Sequence, residues 1–457
     1  RYTSKGGNMK ILATTYFKRG NTYIDGIELN NFINAPSSFK LAAKSDWEPI
    51  CWTFELESVT SSEKYNEHLG EWSLIEFEFC DYTTSVTLLR NMEEQEEVYV
   101  NIISCEKVKS LNLINKLDSY SSLSGIATIP RKKLEREVIP VKNKEYFKSV
   151  LCLDVGQANW NLVCDTTACD SKSPRVMYSF DFGLPTGSHW NTLPSPKLDP
   201  YPHLPKDMWV ILSHWDVDHW AAAAFNQPLF NRRGTKVNWH QDALNFKWLV
   251  PNQGKHSTGQ KISPNAWRLA LALYRKGNLF VWPRNLDYLH LNDGSTLIKS
   301  VSAKKSGRNN NNGLALIVKD NSTLFWPSLI MCPGDADYPS LSVNLSKAKL
   351  NNKSYEGLIA SHHGGNITGQ PPSPSGVFSK VAYSNGRKYK HPFLSNKQHR
   401  KAGWLIEGDT HVRRTRVRHT HKESLGTVVL GGGLLPIFAF IGTCLNCNHK
   451  SSICPVQ

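Results

Sequence analysis

The chain has 457 residues and a net charge of +15, with 40% hydrophobic residues and 14 tryptophans. That composition excludes a disordered polyampholyte and gives room for two domains with real cores. The charge is uneven. Residues 45–100 are acidic, with Glu93, Glu94, Glu96 and Glu97 and only Lys64 and Arg90 as basic residues, whereas 387–422 carries Arg387, Lys388, Lys390, Lys397, Arg400, Lys401, Arg413, Arg414, Arg416, Arg418 and Lys422 against Glu407 and Asp409. A basic segment of this kind is either a solvated face or a site for a polyanion such as nucleic acid.

In chain order, residues 9–145 alternate short strand-like runs with turns, as in Trp72–Phe79 and Glu97–Ile103. They predict a smaller, strand-rich N-terminal domain with no catalytic constellation and a candidate surface for a protein partner. A Lys- and Glu-rich stretch, Arg131–Tyr146, leads to a boundary near residue 145. From there to about 430, apolar runs predict strands at 149–155, 160–165, 176–182, 208–213, 314–319, 324–332 and 356–361, with helices at 220–226, 240–247 and 264–276. Alternation of this kind predicts a layered α/β domain. Most of the ten cysteines sit in apolar runs and read as buried thiols. In the tail, 431–457, Cys444, Cys447, His449 and Cys454 are a possible structural zinc cluster of unusually short spacing. The apolar run Leu425–Thr443 is broken by Gly431–Gly433 and Pro436, so a closing strand is expected over a membrane anchor. No signal-peptide pattern follows Met9, and a cytoplasmic location is expected.

The chemistry concentrates at predicted strand ends. Met208–Leu212 empties into His214-Trp215-Asp216-Val217-Asp218-His219. Alternate residues of an extended segment point the same way, so His214, Asp216 and Asp218 can converge while the turn brings in His219. Two imidazoles and two carboxylates are costly to bury without a metal or other partner. Further strand ends deliver Asp154 with Gly156-Gln157, Asp181 with Gly183, Asp335 after Cys332-Pro333-Gly334, and His362-His363-Gly364-Gly365. Each alone reads equally well as a solvated turn; together they describe ligands placed by a rigid sheet.

The ordered set LDVGQ, DFG, HxDxDH, GD and SHHGG resembles the metallo-β-lactamase superfamily, and within it the soluble hydrolase domain of ComEC-type DNA-uptake proteins. Asn311-Asn312-Gly313 before an apolar strand, and Ser384-Asn385 with Tyr389-Lys390-His391-Pro392, extend the resemblance over roughly 149–430. The resemblance implies an αββα sandwich with a dinuclear site for two divalent ions, zinc or manganese. In it His214 and Asp216 would hold the first ion, Asp218 and His219 the second, and Asp335 would bridge. His362 or His363 would complete the second site, with His362 favoured. Asp181 would brace the loop, Asp218 would help deprotonate the attacking water, and His391 would contact the substrate phosphate or donate a proton.

Two departures from the pattern stand out. The family's GQGD is Gly156-Gln157-Ala158-Asn159, and the histidine usually supplied between the early motif and the bridging aspartate has no clear counterpart, His256 and His290 lying in ordinary contexts. The reading is therefore a metal-dependent phosphodiesterase or nuclease working through a dinuclear metal-activated hydroxide, acting on nucleic acid met by 387–422. The alternatives are a small phosphoester or cyclic-nucleotide hydrolase and a degenerate, non-catalytic binding protein.

Overall fold

The computed structural model describes residues 8–18, 21–56, 70–80, 87–88, 98–138, 147–166, 175–185, 192–194, 198–224, 237–253, 261–301, 309–321, 328–376, 379–386, 393–404, 412–414 and 427–431. Six strands open the chain: β1 (Met9–Lys18), β2 (Asn21–Glu28), β3 (Cys51–Leu56), β4 (Trp72–Cys80), β5 (Thr87–Leu88) and β6 (Val98–Lys107). They close into an antiparallel barrel in the order β1-β2-β3-β5-β6-β4. Ile11, Ala13, Ile24, Trp52, Ile75 and Phe77 form one apolar cluster of this barrel. Leu12, Ile27 and Trp72 belong to a second cluster, with Phe32, Phe39, Tyr120 and Trp267. A strand apolar at successive positions is buried on both faces, and here the second cover is the helix Pro264–Arg275.

Two seven-stranded sheets follow. The first has the order β12-β11-β10-β9-β8-β7-β20, made of β7 (Lys148–Cys152), β8 (Asn161–Asp165), β9 (Arg175–Phe180), β10 (Trp209–Ile211), β11 (Lys247–Val250), β12 (Leu279–Val281) and the late strand β20 (Val428–Gly431). The second runs β13-β14-β15-β16-β17-β18-β19, from β13 (Tyr288–His290), β14 (Thr296–Lys299), β15 (Leu314–Asp320), β16 (Ser328–Cys332), β17 (Gly357–Ile359), β18 (Lys380–Tyr383) and β19 (Val412–Arg414).

Side-chain parity sorts the layers. Val150, Cys152, Val163, Phe180, Ile211 and Leu249 share one core with Leu297, Leu314, Leu316, Val318, Ile330 and Ile359 of the second sheet. Their neighbours Leu151, Leu162, Val210, Trp248 and Val250 face the other way, toward the helix Pro264–Arg275. On the far side Ala315, Ile317, Met331, Leu358 and Val381 pack with Tyr338, Leu341 and Leu345 of the helix Tyr338–Lys347. The described residues are thus mixed α/β, with helix, sheet, sheet and helix in layers. Away from the strand ends that carry the site, Lys148 at the start of β7 is fully buried and pairs with Asp293, 3.3 Å from its Oδ2, and Tyr178 donates to the same carboxylate.

Two features differ from the sequence expectation. The Lys- and Glu-rich stretch begins with a helix, Arg131–Glu137, whose Leu134 joins Ile129 and Val138 in the inter-sheet core, so packing continues N-terminal of residue 145. The main-chain N–H of Ile129 donates to Val281 of β12, tying this segment to the first sheet. Ala221–Ala224 form a 3-10 turn instead of the start of a helix, because Tyr201 and the main chain of His240 claim the carbonyls of Ala222 and Ala223. Residues 428–431 are β20, antiparallel to β7. The rest of the 425–443 run and the Cys/His tail, including Cys444, Cys447, His449 and Cys454, lie outside the described residues. No helix among those described is long and apolar enough to cross a membrane.

Candidate metal centre

The ends of β7, β9, β10, β16, β17 and β18 all open on one place. β10 ends at Ile211, and Ser213 and His214 follow at once. The turn Val217–His219 brings Asp218 and His219 back beside them, held by main-chain bonds from Asn159 to Asp218, from Phe182 to His219 and from Gly183 to Asn159. A methyl on Gly183 would lie 1.9 Å from the Asp218 carbonyl, so only glycine allows this approach. Asp335 arrives two residues after Pro333, past Gly334, whose φ of +60° turns the chain tightly against Ser213.

Consecutive histidines cannot normally face one site. Here His362 and His363 have φ of +52° and +53°. Left-handed backbone costs a non-glycine residue about 1–2 kcal/mol, and the pair sends the two rings to opposite oxygens of Asp335. His363 Nε2 lies 3.8 Å from Oδ1 and His362 Nε2 lies 3.8 Å from Oδ2. His219 Nε2 stands 3.3 Å from Oδ1, and His214 Nε2 stands 3.9 Å from Oδ2. Asp218 approaches on the Oδ1 side, 3.3 Å from His363 Nε2, and Asp216 on the other, 3.4 Å from His214 Nε2.

The result is two half-sites about one carboxylate. Asp218, His219 and His363 gather on Oδ1; His214, Asp216 and His362 gather on Oδ2. The groups His214, His219, Asp335 and Asp218, His219, His363 each bring their ligand atoms within 4.8 Å of one another. The inner half-site is buried, while Asp216 and His362 keep 18% and 23% side-chain exposure. The sequence reading favours His362 beside Asp218; in the structure His363 lies beside Asp218, and His362 stands with His214 on the Oδ2 side of Asp335.

The imidazole nitrogens are sorted by their partners. His363 Nδ1 donates to the Ser384 carbonyl at 2.9 Å, which leaves Nε2 without a proton in the neutral ring. His219 Nδ1 donates to Asp181 Oδ2 at 2.9 Å. His214 Nδ1 lies 3.0 Å from Ser213 Oγ, which itself donates to Asp181 Oδ2 at 2.9 Å. The Nε2 atoms of His214, His219 and His363 are buried and make no hydrogen bond among the described residues. Charge-assisted hydrogen bonds run about 2.7–2.9 Å. The 3.3–3.4 Å contacts are longer, and match the edge of a tetrahedron whose metal bonds are about 2.0–2.1 Å.

Burial opposes charge on Asp335, but His219, His363 and His362 outweigh it and hold its pKa well below the ordinary carboxylate value. Burial likewise opposes the charged form of His219, and Asp181 with Asp335 raise its pKa well above the usual imidazole value. Mutual perturbation of this kind is a property of candidate functional clusters and of structural ion-pair networks alike.

Sequence reasoning did not single out Ser213 or Asp337, and it named Asn311 only as part of the asparagine-led strand. Ser213 relays between Asp181 and His214, and no motif flags a serine there. Asp337 Oδ2 accepts from Asn311 Nδ2 and Oδ1 from the Thr368 main chain, fastening three loops together. Asn159, where the related pattern has an acid, donates from Nδ2 to Asp335 Oδ1 at 3.4 Å. Asp181 accepts from the Ser213 main chain at 2.7 Å and holds a φ of +61°. Asp154, buried at the end of β7, donates no side chain to either ligand group. His290 sits on β13 against Thr296 and is not brought to the centre. His391 and His256 lie outside the described residues, as does most of the 387–422 segment; its described part exposes Lys397, Arg400 and Lys401. Comparison with protein-family models, with curated proteins and with solved structures finds no match for the chain.

Proposed function

We propose that the two sheets form a metallo-β-lactamase αββα sandwich and that the centre hydrolyses phosphodiesters with two divalent ions, zinc or manganese. The observation that carries this reading is the convergence, around the Asp335 carboxylate, of three buried Nε2 atoms that have no hydrogen-bond partner among the described residues. Asp218, His219 and His363 would hold one ion and His214, Asp216 and His362 the other, with Asp335 shared. Each ion then has four protein donors, a mixed oxygen and nitrogen set that suits zinc and admits the harder manganese. When bound, such a pair lowers the pKa of a shared water and neutralises charge on the phosphoryl oxygens.

The chain's own residues supply the rest. Asp181, Ser213 and Ser384 orient the rings before any ligand arrives, which removes reorganisation from the reaction. Asp218, facing both His363 and the site, is the carboxylate placed to take a proton from the attacking water. Asn159 adds a donor to Asp335 without adding charge. The basic 387–422 segment, which carries His391 as a candidate phosphate contact or proton donor, favours nucleic acid as the substrate.

The test is a hydrolysis screen with manganese and with zinc on single-stranded DNA, RNA, cyclic nucleotides and bis(4-nitrophenyl) phosphate, using Asp218→Ala as control. Metal-dependent cleavage lost in Asp218→Ala is expected. Absence of cleavage of every substrate would instead favour a binding protein built on the same sandwich.

A further inference from the structure

Lys299 ends β14, and its register partner on β15 is Leu314. The main chain of Leu314 donates to the carbonyl of Ser213, the residue before His214. Lys299 therefore lies at the site end of the sandwich. Parity gives its direction: Leu297, two residues earlier, is in the inter-sheet core, whereas Ile298 packs on the outer face. The Lys299 side chain accordingly enters the gap between the sheets at the end where the metal centre opens.

What it finds there is unusual for an ammonium. Among the described residues its acceptor is a main-chain carbonyl, that of Asn312, and none of their carboxylates pairs with it. The same carbonyl takes the Nε2 proton of Gln253, at 3.1 Å. Gln253 in turn accepts from the main chain of Trp215, between His214 and Asp216, at 3.2 Å. Lys299 of the second sheet and Gln253, from the loop that follows β11, thus meet at Asn312, one hydrogen-bonded residue away from the ligand loop. Gly313, the next residue, is pressed against Ser213, its methyl position lying 2.3 Å from that carbonyl, so the arrangement is fixed to the centre and does not drift from it. An ammonium has three donors, and a single carbonyl leaves two for a ligand.

We infer that Lys299 binds a second phosphate of the substrate, adjacent to the one at the metal centre, and so makes the site selective for polynucleotides over simple diesters. This rests on the phosphodiester reading above. Burial of the ammonium lowers its pKa to about 7, so an arriving anion meets a cation whose charge it restores. The flanking carbonyl contact holds the side chain in place without neutralising it.

The experiment compares the wild-type chain with Lys299→Gln and Lys299→Arg on two substrates, a short single-stranded DNA and bis(4-nitrophenyl) phosphate, which has one phosphate. Lys347→Gln, which removes a surface lysine paired with Asp287, is the control. Lys299→Gln is expected to raise KM for the oligonucleotide about tenfold more than for the simple diester, with the kcat ratio kept. It should also flatten the salt dependence of log KM by about one unit of slope. Lys299→Arg should restore much of the difference, and Lys347→Gln should resemble the wild type. Equal losses on both substrates, unrelieved by arginine, would show that Lys299 only caps the 309–312 turn and would overturn the inference. So would oligonucleotide kinetics unchanged in Lys299→Gln. A wild-type chain that cleaves neither substrate would remove the phosphodiester reading itself, a result distinct from either.

Discussion

Asp181→Asn isolates what the buried carboxylate contributes to metal binding. Asp181 is fully buried and accepts three hydrogen bonds, from the Ser213 main chain at 2.7 Å, Ser213 Oγ at 2.9 Å and His219 Nδ1 at 2.9 Å. An asparagine fits the same space but has one oxygen and one NH2 group. If its oxygen stays on the Ser213 main chain, the NH2 faces His219 Nδ1, and the imidazole must carry its proton on Nε2, where it cannot ligate. If the amide flips, the NH2 meets the Ser213 N–H and a buried donor is left opposed, at a cost of about 1–3 kcal/mol. Either way metal affinity should fall by about 10–100-fold, the usual effect of losing a carboxylate behind a ligating histidine. That is about 1.4–2.7 kcal/mol. Isothermal titration with zinc and with manganese at fixed pH measures it. Ser213→Ala, which leaves the His219 bond intact, should lose less. Affinity within a factor of two of wild type in Asp181→Asn would refute the tautomer reasoning.

Buried titratable groups and one close backbone approach give further expectations. Asp25 is buried at the seam of the barrel and the helix Pro264–Arg275, 3.2 Å from Asn265 Nδ2, and burial lifts its pKa to about 7. The folded state keeps a proton that the unfolded chain releases from about pH 4 upward, so stability should fall as pH rises from about 4 to 7, by at most about 4 kcal/mol. Urea melts of Asp25→Asn should lack this slope; parallel curves would contradict the assignment. His399 shows the opposite sign. Burial drops its pKa to about 4, with Tyr383 OH 2.8 Å from Nδ1, so stability should be lost as pH falls from about 6.5 to 4, and His399→Gln should blunt that acid limb in thermal melts. Gly183→Ala should destabilise by about 1–3 kcal/mol through overpacking against Asp218 and weaken metal binding at the buried half-site, checked by melting and titration together.

What the sequence made legible is local chemistry. The strands ending at Ile211, Cys332 and Ile359 show as apolar runs, and the residues after them are the ones gathered around Asp335, because a strand end fixes its next few residues. The short strands β11, β12, β13, β14 and β18 escaped, since three or four residues, some of them polar, carry no period. Closure of the barrel depends on pairing β1 with β4 and β3 with β5, distant segments whose register no local pattern encodes. The placement of the His362 and His363 rings on opposite oxygens of Asp335 was also unreadable. It depends on two successive left-handed residues, a strained conformation that side-chain propensities argue against. The position of Leu134 illustrates a further limit: a helix rich in Lys and Glu reads as a connector until its one apolar face is seen seated on the sandwich.

The most direct test of the account is the number of ions the chain holds. Elemental analysis and titration of the full chain with manganese or zinc, after chelation, should give two ions for the wild type. His363→Ala should lose the buried ion, and His362→Ala should keep it while weakening the other. Asp335→Ala, which removes the shared carboxylate, should weaken both. Two ions retained in His363→Ala and Asp335→Ala, or none bound by the wild type, would contradict a dinuclear centre built on these residues.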